Sequence, residues 1–224
     1  ALSSAASDVY KRQYLIFMKQ NRKEILKTIF KLFLTRHYED VSYDDMIKAT
    51  NISKGGLYHY APNKIELFRL VVDTFFLDLI KVEDDIMIKT SGSDKFALHD
   101  FLMSYASFLH KRFCRIQDFL QLPVDETARA FSFFILNSQR YHPSFYEKYL
   151  SLEAREKELI KNVLLIAEKN GEIKNNMNLL LVSDMFYNSY SGLLFYSSFH
   201  PTDDFEKKLL MLFENVYSLI KVDS

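Results

Sequence analysis

A chain of 224 residues, 48% hydrophobic and 26% charged, has the material for a sizeable buried core and lacks the charge bias of a disordered protein. Five glycines and four prolines leave few turn signals, so long helices with short connections are expected, and the single cysteine, Cys114, excludes an internal disulfide or a thiolate zinc site. The formal charge of zero hides an asymmetry: from Lys11 to Lys64 eleven Lys or Arg stand against five Asp or Glu, a net of +6, which leaves −6 for the remainder. A basic segment on an acidic body is the electrostatic footprint of contact with a polyanion.

No apolar run approaches the ~18 residues of a membrane span, and no basic start leads into an apolar secretory core, so a cytoplasmic protein without a membrane partner is the default expectation. Residues 1–13, ALSSAASDVYKRQ, are small and polar without periodicity and are read as a flexible tail or an expression remnant outside the fold.

Residues 20–37 carry an apolar stripe through Ile25, Ile29, Leu32 and Phe33, with lysines and arginines mostly off it, which predicts an amphipathic helix. Ser42 stands three residues ahead of Asp45, a capping box with Asp in place of Glu, and opens a short helix over Tyr43–Thr50. Asn51-Ile52-Ser53 breaks that helix, and Ser53 caps a second one running to Tyr60. Ala61-Pro62-Asn63 interrupts again, with Asn63 capping a longer helix from Lys64 to about Ile88. A longer helix followed by two short ones across a three-residue turn is the helix-turn-helix arrangement.

The run DVSYDDMIKATNISKGGLYHYAPNKIELF resembles the DNA-binding region of the TetR family of transcriptional regulators, through Ser42, Asp45, Ser53, Lys54, Gly55, Leu57, Tyr58, Asn63, Lys64 and Leu67. The resemblance covers roughly residues 20–70; it departs at Gly56, where a small hydroxyl residue is common, and at Ala61, where a bulkier one is. It implies an all-α protein with an N-terminal three-helix head over 14–65 and a larger C-terminal helical body over 66–224 for effector binding and dimerisation. The expected interface with a double-stranded DNA operator comprises Ser42, Tyr43, Ser53, Lys54, Gly55, Gly56, Tyr58, His59 and Lys64. Within it, Lys54 is placed to reach base edges, Tyr58, His59 and Lys64 to reach phosphates, and the bare glycine backbone to approach the duplex closely.

Beyond a polar break at Thr90-Ser91-Gly92-Ser93, helices are expected near 94–117, 125–140, 144–151, 153–170, 178–198 and 202–221. The last two are the most apolar and are expected to form a homodimer through a four-helix bundle, with two-fold symmetry matching a palindromic operator. Phe101, Tyr105, Phe108, Phe131, Phe134, Tyr187 and Tyr190 are candidates for a pocket holding a small apolar or aromatic effector; Arg112, Arg115, Asp118 and Arg140 are candidates for its polar anchor, with solvated surface the favoured reading of each. The helix opening at Lys64 is the expected lever between pocket and head. No HExxH, Walker loop, GxSxG or paired Cys/His spacing is present, so neither an enzyme nor a cofactor is expected. The competing reading is a helical interaction module or small-molecule-binding protein with a vestigial helix-turn-helix.

Overall fold

The computed structural model describes residues 21–80, 97–200 and 204–222, and every structural statement below concerns those residues. They are helical apart from short connections and an isolated antiparallel bridge between Ile173 and Lys221. The chain divides into two compact units, Ala1–Phe76 and Leu77–Ser224.

In the first unit, α1 occupies 21–35 and buries Leu26, Ile29, Phe30, Phe33 and Leu34. Helices α2 (Tyr43–Thr50), α3 (Lys54–Tyr58) and α4 (Lys64–Val71) follow. Each begins at a side-chain cap foreseen in the sequence: Ser42 accepts from Asp45 N, Ser53 from Gly56 N, and Asn63 from Glu66 N. Helix α3 stops at Tyr58, short of the expected Tyr60. The amides of His59 and Tyr60 bond back only three residues, to Gly56 and Leu57, so the helix tightens and ends.

After Val71 the chain makes a π-helical turn, Val72–Phe76, and then an α-helical turn, Leu77–Ile80. The expected head ended at residue 65, whereas the first compact unit extends to Phe76. The physical reason is aromatic: Phe68 meets Phe33 edge-on at 5.0 Å, and Phe75 stacks on Phe30 at 5.5 Å. Residues expected in the connecting helix up to Ile88, the break at 90–93, and the tail at 1–13 lie outside the described residues.

The second unit contains α5 (Leu98–Leu120), α6 (Val124–Tyr141), α7 (Pro143–Lys169), α8 (Leu179–Ser197) and α9 (Phe205–Ile220). Helix α9 packs on α5, and α8 packs on α6, α7 and α9. The core includes Phe113 stacked on Phe205 at 4.8 Å and Phe186 edge-on to Phe213 at 5.2 Å. Proline opens α7 at its first position, and Gly171 at φ +72° takes the left-handed conformation that closes it.

Two helices expected over 144–151 and 153–170 are one. No glycine or proline interrupts them, so the helix runs unbroken from Pro143 to Lys169. Helix α5 has no side-chain cap of its own. The Glu172 carboxylate, from the turn after α7, accepts from the amides of Leu98 and His99, and the Tyr217 hydroxyl donates to it in turn.

Candidate nucleic-acid interface and effector pocket

The head presents two short capped helices joined by Asn51-Ile52-Ser53. Asn51 ends α2 in the left-handed conformation at φ 56°, which turns the chain sharply enough for α3 to begin three residues after it. Leu57 is the side chain that anchors α3, buried at 1% exposure, and Lys54, Gly55 and Tyr58 face outward. Lys54, Gly55, Tyr58 and His59 are exposed, as are Ser42 and Ser53, while Tyr43 and Gly56 are half-buried.

The start of α2 and both ends of α3 converge. The Tyr43 and Tyr58 rings lie 5.6 Å apart, and the Lys54 ammonium sits 5.3 Å from the Tyr43 ring centre. Seven of the nine expected interface residues (Ser42, Tyr43, Ser53, Lys54, Gly55, Gly56 and Tyr58) thus stand on or beside one small patch, with His59 exposed at its edge. The Ser42 and Ser53 hydroxyls are engaged in their caps. Asp45 fixes the entry to α2: it accepts from the Ser42 amide at 2.8 Å and pairs with Arg36 at 2.9 Å. The Ser42 hydrogen bond, then Arg36, hold its carboxyl well below the usual carboxylate range.

Lys64 is placed differently from the others. Its ammonium donates to the Glu39 carbonyl at 3.4 Å and lies 4.3 Å from the Tyr38 ring centre, so it is tied to the turn after α1. Partial burial lowers its pKa. Ala61 is buried and Tyr60 half-buried, with the Arg22 guanidinium 5.4 Å from the Tyr60 ring centre.

Neither glycine of α3 is demanded by the head's own packing. A Cβ on Gly55 would meet only the Ser53 hydroxyl at 3.9 Å, and one on Gly56 would make ordinary contacts at 3.5 Å with Ser53 and 3.6 Å with Ile52. Glycine inside a helix is less stable than alanine by roughly 0.5–1 kcal/mol.

The second unit holds a cavity of about 220 Å³, partly open at the surface, between α6, α7 and α8, with Ile80 and Arg112 completing its wall. Of the seven residues expected there, Phe131, Tyr187 and Tyr190 line it. Phe101, Phe108 and Phe134 are buried core instead, because the inward faces of α5 and α6 are fully used in packing between helices. Tyr105 is also buried, and its hydroxyl donates to Glu156 at 3.0 Å just behind the wall. Arg112, read from sequence as surface, is 5% exposed. It donates to Glu156 through both terminal nitrogens and to the Ile80 carbonyl at 3.1 Å, and its guanidinium carbon lies 5.0 Å from the Tyr190 ring centre.

Sequence reasoning missed Tyr149, Glu153, Glu156 and Phe195, which also line the cavity. A signal for Glu156 was present: it is spaced i−4 to Ile160 and i+4 to Leu152, on the apolar stripe of α7 rather than opposite it. Burial raises the Tyr105, Tyr149 and Tyr187 hydroxyl pKa values above the ordinary one, so all three remain protonated at neutral pH. Among the described residues no group of three or more His, Cys, Asp or Glu stands close enough to hold a metal ion, and no helix is long and apolar enough to cross a membrane.

Two short capped helices with an exposed Lys-Gly-Gly opening form a helix-turn-helix arrangement, and the second unit is all-α and holds a cavity. Residues 25–71 match the family model described as bacterial regulatory proteins, tetR family. The biofilm operon icaADBC negative transcriptional regulator IcaR of Staphylococcus epidermidis is 26% identical over 98 residues, a region covering 42% of this chain and 50% of that one. The match thus spans about half the length of that relative.

Among solved structures, NalD, the secondary repressor of the MexAB-OprM multidrug efflux pump in Pseudomonas aeruginosa, is 17% identical with a TM-score of 0.65, over 92% of this chain and 100% of that one. A SmeT–triclosan complex is 15% identical with a TM-score of 0.63, over 92% and 93%. Residues 25–71 thus match the N-terminal domain of the tetR family of bacterial regulatory proteins, and the chain shares the fold of these solved structures over most of its length.

Proposed function

We propose that this protein is a repressor which binds a palindromic operator as a homodimer and leaves it when a small molecule occupies the cavity of the second unit. The observation that carries the reading is the convergence of Tyr43, Lys54 and Tyr58 on one exposed patch, beside two glycines that internal packing does not require. IcaR and NalD are both described as repressing regulators, and SmeT was solved with a bound small molecule, triclosan. An effector releases DNA only by binding the DNA-incompetent arrangement more tightly than the competent one, and the coupling is no larger than that difference.

In this reading the glycine pair trades helix stability for close approach to the duplex. Gly55→Ala is expected to raise the stability of the head by about 0.5–1 kcal/mol in chemical denaturation while weakening operator binding. Gains in both, measured on the same preparation, would show that the backbone does not come close to DNA.

Dimerisation is proposed through α8 and α9, where Leu180, Leu181, Tyr196, Met211 and Leu219 are each more than half exposed. Large apolar side chains concentrated on two adjacent helices are the material of an interface. Met211→Glu combined with Leu219→Glu places charges on this surface without touching the core, and sedimentation should then show a monomer with reduced operator affinity. A dimer that survives the pair of charges would move the interface elsewhere.

A further inference from the structure

The wall of the cavity carries a charge preference. Glu153 and Glu156 stand against the single guanidinium of Arg112, so one negative charge is in excess. Arg112 and Glu156 form a closed unit: the guanidinium donates to Glu156 and the Ile80 carbonyl, and Glu156 also accepts from Tyr105. Glu153 is different. Its partner Lys157 lies outside the wall and divides itself between Glu153 at 2.8 Å and Asp184 at 2.9 Å, one ammonium for two carboxylates.

Around Glu153 the wall is aromatic, with Phe131, Tyr149, Tyr187, Tyr190 and Phe195. Two of these rings already hold cations within the protein: Arg112 lies 5.0 Å from the Tyr190 centre and Lys157 lies 4.9 Å from the Tyr187 centre. Ring faces and an undercompensated carboxylate attract the same kind of group. An anionic ligand would meet the opposite situation, because the one cation in the wall could receive it only by leaving Glu156 buried without its counter-charge.

From the excess of wall carboxylate and the five surrounding rings, we propose that the cavity selects monovalent organic cations with an apolar or aromatic body, with Glu153 as the residue that sets the preference for charge. This rests on the reading of the cavity as the effector site.

The test uses the full-length protein and three probes of similar size: benzyltrimethylammonium, its neutral isostere neopentylbenzene, and the anion phenylacetate, each titrated calorimetrically. The cation should bind about tenfold or more tightly than the neutral isostere, with phenylacetate weakest. In Glu153→Gln the ratio of cation to neutral should fall to near one with the neutral probe unaffected; Lys157 keeps Asp184 in that variant, so the local fold is supported. Ser191→Trp, which fills the cavity, should abolish binding of the cation.

Equal or tighter binding of the neutral or anionic probe would overturn the charge preference and leave the effector site standing. Unchanged cation selectivity in Glu153→Gln would overturn the role of that residue. Cation binding that persists in Ser191→Trp, or binding of none of the three probes, would overturn the proposal together with the reading of the cavity as the effector site.

Discussion

Arg112→Met alone is expected to destabilise the protein by about 3–5 kcal/mol, the usual result of removing one partner of a buried ion pair. The Arg112 and Glu156 side chains are only 6% and 5% exposed. Without the guanidinium, Glu156 retains the Tyr105 hydroxyl as its described partner, too little to offset the desolvation of a carboxylate. The double variant Arg112→Met with Glu156→Gln should recover most of the loss, because it leaves no buried charge and the amide oxygen still accepts from Tyr105. Urea denaturation of the two variants beside the wild type provides the comparison. A single variant within about 0.5 kcal/mol of wild type, the range of an ordinary surface substitution, would mean that the pair is solvated in solution.

The second large effect is on DNA. Lys54→Ala should cost about 1–3 kcal/mol of discrimination between the operator and a mutated operator, the range of one good base contact. Non-specific binding should change little. Lys64→Ala, in contrast, should weaken specific and non-specific duplexes alike and reduce the slope of log affinity against log salt by about one unit. The Lys64 ammonium leans on the Tyr38 ring and the Glu39 carbonyl in the free protein, so its contact with phosphate requires a rotation away from that turn or reach from it. An unchanged salt slope would assign Lys64 to the packing of the head alone.

The head was the more legible part of the chain because its elements are short and each is announced by a cap. Ser42, Ser53 and Asn63 start their helices in the structure as the sequence indicates, and Asn51 ends α2. The end of α3 was not legible, since the tightening at His59 and Tyr60 depends on bonds only three residues back. Nor was the π-helical turn Val72–Phe76, whose residues continue an apolar helical pattern without a break.

In the body, proline and glycine marked the divisions reliably, at Pro123, Pro143 and Gly171. The one division expected without such a residue, near Leu152, does not exist. The cavity was legible in chemical type more than in membership. Aromatic residues at helical spacing serve core and wall equally well, and only the packing of α5 on α9 and of α8 on α6 and α7 separates Phe101 and Phe134 from Phe131 and Tyr190. Arg112 was read as solvated because charges on long helices usually are, and Glu156 was not singled out. Their placement on the apolar stripes of α5 and α7, 44 residues apart, becomes informative only once the two helices are seen together.

The measurement that bears most directly on the account is selection of bound duplexes from a random DNA pool by the purified protein, followed by a salt titration of the best binder. The expected result is an inverted repeat with half-sites about 34 Å apart or a multiple of it, and affinity that falls steeply with salt. Failure to enrich any sequence, or enrichment of a single asymmetric site bound by one chain, would contradict a dimeric regulator that reads DNA through α3.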